Sequence, residues 1–383
     1  LKTAHNHILL IVLLAVLSSV TPLATDMYLP SMLDISKDMG VEINKIEATL
    51  SIFLIFFAIG QLIGGVLSDR KGRKTIALLG LFGFSISSFA LFFSTSLESL
   101  YFFRATQAFF GAMSTVNAGA IVRDLFHGKE AAKTFSAIAS VGMIAPMVAP
   151  ALGSLVISFY TWNYIFLFLA LYSALVMILI YLKLPLTGSK SNTKIKVAYK
   201  KVLTHKKAMG YILSLSFAFS GMFIFIQKSS FIYMEYFEIS KEFFPLFFGS
   251  NVLMMIVLTK VSMKLIQTSN TKDILKYGIL LQVLSAFCLV VFSFDANLYT
   301  IFIAMIFYVG SLGFIFGNAM GLALDFFKKD TGVANSVIGV TQFAIAGVIG
   351  FIASLVHTGE LSAIFIMMLI TALCALLSLR LSK

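Results

Sequence analysis

Twelve runs of roughly twenty apolar residues punctuate the chain, and nothing else in it restricts the fold as strongly. They lie at about 8–28, 46–67, 75–95, 98–121, 132–158, 162–183, 208–234, 243–265, 273–294, 298–326, 332–356 and 361–380. Backbone amides and carbonyls inside hydrocarbon must bond within their own segment, so each run is expected as a transmembrane helix. With 59% hydrophobic and 12% charged residues in 383, a soluble domain is excluded. The expected fold is an all-α membrane protein with twelve transmembrane helices in two six-helix halves. These halves are residues 1–184 and 208–383, joined by a lysine-rich linker at 185–207. The first run continues through Pro22 to Asp26 without a cleavage site, so it is expected to persist as a span and not as a removed signal.

Charge placement sets the orientation. Of 29 Lys and Arg, 24 fall at alternate ends of the runs, three (Lys37, Lys45, Lys241) at the opposite ends, and two (Arg104, Lys228) inside runs. By the positive-inside rule both termini and the linker are expected on the cytoplasmic side of a multi-pass membrane protein. The net charge of +12 is thereby assigned to membrane topology, with the lipid bilayer as partner and no nucleic acid. A monomer is expected. Cys288 and Cys374 sit in apolar runs, and the five histidines form no ligand-spaced pair, so no disulfide, metal or other cofactor is expected. No nucleophile–base constellation stands at one depth, which argues against an enzyme.

The polar residues inside runs carry the functional expectations. Asp26 lies near the outer end of the first run, where a carboxylate costs on the order of 2.5–3.5 kcal/mol at mid-membrane. Ala15, Ser19, Pro22 and Asp26 share one stripe at about 100° per residue, which suits a packed or cavity-facing side. Hydration at the outer interface is the other reading of Asp26. Arg104 enters from the outer side in the fourth run, roughly 10 Å deep against roughly 6 Å for Asp26, so a direct or water-bridged contact is expected. Attraction to Arg104 and burial act in opposite senses on Asp26, as a proton-coupling pair requires. A permanent, purely structural ion pair is the alternative. Arg104, Gln107, Gly111 and Thr115 share a face, and Gly142, Pro146, Ala149 and Gly153 share another on the fifth run, with Pro150 close by. Tyr28, Gln107, Gly111, Pro22, Gly142, Gln227, Lys228, Asn251 and Asn318 are candidates to line a substrate cavity. For Lys228 the plain reading is a side chain snorkelling to the outer interface; the sharper one is a buried cation favouring anionic or zwitterionic cargo. Each of the amides reads equally well as an interhelical hydrogen bond.

The turn between the second and third runs contains Gly65, Asp69, Arg70, Gly72, Arg73 and Lys74. Gly65 is expected to permit close helix approach and Gly72 a tight reversal. The stretch resembles motif A of the major facilitator superfamily, Gly-x-x-x-Asp-Arg-x-Gly-Arg-Lys, at every position. Arg104, Gln107 and Gly111 resemble its motif B, closed by Arg123 and Asp124. Gly142, Pro146, Pro150 and Gly153 are similar to motif C, associated with the antiporter branch. The run Asp26-Met-Tyr28-Leu-Pro30, Gly60-Gln-Leu62 and Trp162-Asn-Tyr164-Ile-Phe166 narrow the resemblance to the Bcr/CflA group of drug-resistance transporters. This chain has Gln227-Lys228-Ser229-Ser230-Phe231 where such relatives usually read Ser-Gly-Ser-Pro-Phe. The resemblance implies proton-coupled export of small amphiphilic antibiotics such as chloramphenicol, with Asp26 and Arg104 coupling to protons. It further implies that Gly65, Asp69, Arg70, Gly72, Arg73, Lys74, Arg123 and Asp124 form a cytoplasmic gate. Two alternatives stay open: a transporter of a physiological metabolite (a sugar, amino-acid derivative or siderophore) and a non-transporting membrane sensor or scaffold.

Overall fold

The computed structural model describes residues 2–186, 195–327, 331–356 and 359–382, and the described residues contain helices and no strand. Two compact units divide the chain, Leu1–Thr193 and Lys194–Lys383. The centre of the expected linker, residues 187–194 with Lys190 and Lys194, lies outside the described residues.

The first unit comprises α1 (Lys2–Asp26), α2 (Met32–Met39), α3 (Ile43–Lys71), α4 (Arg73–Phe92), α5 (Leu97–Leu125), α6 (Gly128–Phe159) and α7 (Asn163–Lys183). Pro30, within a short 3-10 turn, separates α1 from α2, since proline supplies no amide to continue the first helix. Helix α2 ends at Gly40 in the left-handed region, and the Trp162 indole donates to Asp38 Oδ2 at 2.9 Å, tying α2 to the start of α7. Gly72 joins α3 to α4 at φ +96°, a conformation that a side chain would strain.

The second unit comprises α8 (Ile195–Thr204), α9 (Lys206–Ser230), α10 (Phe244–Leu265), α11 (Thr271–Phe292), α12 (Leu298–Gly310), α13 (Leu312–Leu324), α14 (Thr331–Leu355) and α15 (Leu361–Ser378). Between α9 and α10 a π-helical segment covers Phe231–Tyr236. Part of the expected linker is thus helical: α8 buries Val202 and holds Ser336 of α14 through the Tyr199 hydroxyl at 2.9 Å. Helix α9 packs on α13, α14 and α15, with Tyr211, Ile212 and Leu215 in the apolar core they share.

Among the described residues eleven stretches are long and apolar enough to cross a membrane. The remaining expected span, 98–121, is α5, equal in length to α3 at 29 residues but enriched in polar groups, among them Arg104, Gln107, Ser114 and Asn117. Its polar residues are buried against α1, α3 and α4 rather than turned outward.

Close helix approach follows small residues, though not at every expected one. A Cβ at Gly60 would collide with the Phe109 carbonyl, and one at Gly64 would stand 2.8 Å from Met113 Cα. Gly65 has only an ordinary contact, 4.0 Å to Val116, so the α3–α5 seam runs over Gly60 and Gly64 and the expectation for Gly65 is corrected. The physical reason is azimuth: residues 60 and 64 stack on one face, and the next position is rotated by about 100°. On α6 the pattern splits in the same way. A side chain at Gly153 would run into the Met27 carbonyl, whereas Gly142 is exposed with nothing within 4 Å of its Cβ position. Gly153→Ala is therefore expected to destabilise the protein by about 1–3 kcal/mol, the cost of overpacking. Gly142→Ala should be neutral or stabilising by up to about 1 kcal/mol. Melting curves of the purified variants check this; equal effects would remove the packing distinction between the two ends of α6.

Candidate functional site

Two polar clusters occupy the first unit. The first is built where α1 ends. Its last residue, Asp26, is 4% exposed, with the Thr25 hydroxyl beside it. The final carbonyls of a helix have no intrahelical donor and carry the negative end of its dipole. Ala24 O is one of these, and Arg104 Nη1 donates to it at 3.0 Å. The same nitrogen donates to Gln107 Oε1 at 2.8 Å, and Gln107 Nε2 donates to Ser88 Oγ at 2.8 Å. The network therefore links α1, α5 and α4.

Arg104 is fully buried, and aromatic rings surround its guanidinium. The guanidinium carbon stands 4.6 Å from the ring centre of Phe53, 4.9 Å from Tyr28 and 5.9 Å from Phe166. Among the described residues Nε and Nη2 have no hydrogen-bond acceptor, so these π-faces take the place of polar partners. Tyr28 is held in turn by the Thr49 hydroxyl, which donates to its Oη at 3.2 Å. The expected direct Arg104–Asp26 pair is absent; among the described residues Asp26 has no ion partner. A bare helix-end carbonyl and three rings satisfy the cation at the same corner of the fold, and this is what displaced the simpler pairing.

The other expected cavity residues divide. A Cβ at Gly111 would stand 3.0 Å from the Phe84 ring, and Asn318 donates to Phe314 O at 2.7 Å and to Ser262 Oγ at 2.8 Å, the latter an interhelical tie between α13 and α10. Pro22 is half-buried, whereas Gln227 and Asn251 are fully buried. Lys228 is 2% exposed, which overturns the snorkelling reading: its position is enclosed by protein. The sequence reading passed over Glu47, which is fully buried at the start of α3; an acid one residue into an apolar run was its signal. It also missed Phe53, for which an apolar run offers no signal, and named Phe166 only within a family stretch, not as a partner of Arg104.

The second cluster sits at the α3–α4 turn. Arg73 bonds to Asp69, reaches Ser68 Oγ at 3.0 Å, and approaches Asp124 Oδ2 at 3.4 Å through Nε. Ser68 Oγ donates to Asn117 Oδ1, so the turn is tied to the buried face of α5. Arg123, beyond the spanning part of α5, has its pKa lowered by burial and then by Arg73, against the pull of Asp124 and Asp69. Arg70 is exposed. Lys74 turns elsewhere: its ammonium donates to the carbonyls of Tyr181 at 2.8 Å and Leu184 at 2.6 Å, capping the end of α7. Side chains in the Asp69–Arg73 pair are 32% and 17% exposed, so loss of the pair should cost less than about 1 kcal/mol of folding stability. For Asp69→Asn we therefore expect an unchanged melting temperature, a several-fold loss of transport and greater labelling of engineered cysteines from the cytoplasm. Unchanged transport and labelling would rule out a latch at this turn.

Among the described residues no cluster of His, Cys, Asp and Glu could hold a metal ion. The sequence matches the family model of the Major Facilitator Superfamily over residues 14–351. It is 31% identical over 375 residues to a bicyclomycin resistance protein homolog of Haemophilus influenzae, covering 96% of this chain and 94% of that one. The chloramphenicol resistance protein CraA of Acinetobacter baumannii is 23% identical over 254 residues, 63% of this chain and 61% of that one. Among solved structures, a D-xylose–proton symporter superposes with a TM-score of 0.78 at 14% identity, covering 96% of this chain and 97% of the other, a likeness of fold alone. Helical architecture, motif A turn and sequence agree: the chain belongs to the major facilitator superfamily of membrane transporters, beside the bicyclomycin-resistance (Bcr/CflA) proteins, and is not an enzyme.

Proposed function

We propose that the protein is a proton-coupled exporter of small amphiphilic antibiotics such as chloramphenicol. In this reading it works as a monomer in the bacterial inner membrane, with twelve spans and both termini in the cytoplasm. The observation that carries the reading is Asp26: a carboxyl group 4% exposed, at the end of a spanning helix, with no ion partner among the described residues. A buried charge is costly, and binding a proton or a cationic group offsets that cost. Arg104 donates to Ala24 O two residues earlier, so a change of charge on Asp26 is felt at the cation without direct contact. Gln107 and Ser88 carry that adjustment into α4. Cargo and proton then act by binding one gate arrangement more tightly than the other. The names of the resistance proteins it resembles support drugs as cargo.

The test is energised accumulation of radiolabelled chloramphenicol in bacteria stripped of other exporters, with and without a protonophore. Lower accumulation in expressing cells, abolished by the protonophore, is the expected result. Equal accumulation in expressing and empty cells would remove chloramphenicol as cargo and raise the physiological-metabolite reading. Protonophore-insensitive export would remove the proton.

A further inference from the structure

Helices α4 and α7 leave a groove between them in the first unit, and the transport reading makes no use of it. Side chains three and four residues apart share one face of a helix. On α4 these are Leu78, Leu79 and Phe82, on α7 Met177, Ile178 and Tyr181, and together they line a groove of about 510 Å³. That volume falls inside the roughly 300–1,000 Å³ typical of ligand sites. Leu79, Phe82, Ile178 and Tyr181 are exposed, so the groove opens outward from the unit.

At one end the groove meets a charge. Lys74 lies one turn before Leu78 on α4, and its ammonium stands 5.7 Å from the ring centre of Tyr181. Two of the three ammonium N–H groups go to the carbonyls of Tyr181 and Leu184. Carbonyls are neutral, so the positive charge persists and one donor is left over. Among the described residues Lys74 has no carboxylate partner, and neither α4 nor α7 contains an acid. From Lys74 to Phe82 is about 12 Å at about 1.5 Å per residue, against about 15 Å for half of the hydrocarbon core. The groove therefore runs from a cation through most of one leaflet.

We propose that this groove binds one anionic phospholipid, with the phosphate on the Lys74 ammonium and one acyl chain laid along Leu78, Phe82, Met177 and Tyr181. A soluble phosphate would meet the ammonium and leave the groove unused. A zwitterionic lipid would fill the groove but bring no net negative charge to its cationic end. A lipid with both properties matches both ends, the ground on which basic pockets between spanning helices recognise anionic headgroups. The bound phosphate reinforces the tie that Lys74 already makes between the start of α4 and the end of α7. Neither cargo nor proton enters this argument, so the inference stands apart from the exporter reading.

The test titrates the purified full-length protein with phosphatidylglycerol or phosphatidylcholine of identical acyl chains. The first bound lipid is read by native mass spectrometry, with a melting curve for every variant. Wild type should prefer phosphatidylglycerol by about fivefold, the effect of one lysine on an anionic lipid. Lys74→Gln should bring the two lipids within about twofold of each other, and Lys74→Arg, which keeps the charge, should keep the preference. Lys183 ends α7 but stands about 200° around it from Tyr181, so Lys183→Gln should change nothing. Ile178→Trp narrows the groove and should weaken both lipids by about threefold or more, through lost packing. If Lys74→Gln fails to fold, Ile178→Trp still decides: binding as tight as wild type overturns the inference. So does a folded wild type without preference, or an equal loss of preference in Lys183→Gln and Lys74→Gln, which would mark a diffuse surface charge. Displacement of bound phosphatidylglycerol by an equal concentration of glycerol 3-phosphate would also overturn it, since the groove would then contribute nothing.

Discussion

Asp26→Asn is expected to erase the energised gradient of chloramphenicol while leaving the protein folded. Exchange of one neutral drug for one proton moves one charge, and a membrane potential of about 100 mV supplies about 2.3 kcal/mol per charge. That energy sustains roughly a fifty-fold concentration ratio at about 1.4 kcal/mol per decade. Removing the carboxyl group proposed to carry the proton collapses the ratio toward one. Stability should hold, because among the described residues Asp26 has no ion partner to leave stranded, and asparagine keeps its shape. The check is steady-state accumulation at matched expression, with a melting curve of the purified variant. If Asp26→Asn still exports in a protonophore-sensitive way, coupling resides in another group, and the fully buried Glu47 becomes the first to replace.

Arg104→Lys is expected to reduce transport at least about tenfold even though the positive charge is kept. The guanidinium is flat; it meets the Phe53, Tyr28 and Phe166 rings at 4.6–5.9 Å while one nitrogen bridges Ala24 O and Gln107 Oε1. A lysine ammonium is a compact, strongly hydrated point charge that cannot reproduce that fork, and each buried acceptor it abandons costs about 1–3 kcal/mol. Unlike Asp26→Asn, this variant should also melt at a lower temperature. Arg104→Met, which deletes the charge as well, should be no more active than the lysine variant. Wild-type transport by Arg104→Lys would show that only a positive charge is needed and that the ring cage has no part in coupling.

How far the candidate site could be read from sequence depended on what each residue needed from its surroundings. Asp26, Arg104 and Lys228 announced themselves because a charge inside an apolar run is costly wherever its neighbours fall. Asp69 and Arg73 were legible because they sit four residues apart on one turn, and they do bond to each other. Gly72 was legible for the same local reason, and its φ of +96° is a property of the turn itself. Arg104 and Asp26 were placed as partners from depth alone, and here the reading failed. Depth places two groups at one level but says nothing about a carbonyl or a ring between them. Gly142 and Gly153 looked equivalent on one helical face, yet only Gly153 meets a neighbouring backbone.

By itself the sequence determined that this is a polytopic helical membrane protein, where most of its helices begin and end, and which turn carries the family motif. Those properties are decided within about twenty residues, because in hydrocarbon each helix must close its own hydrogen bonds. Only the tertiary structure decided which groups meet. Arg104 finds its carbonyl 80 positions away in α1 and its rings on α3, α7 and the link between α1 and α2; Lys74 caps a helix 110 positions further on. Such pairings turn on azimuth and on shifts of an ångström between packed helices, and one helical repeat is compatible with many of them.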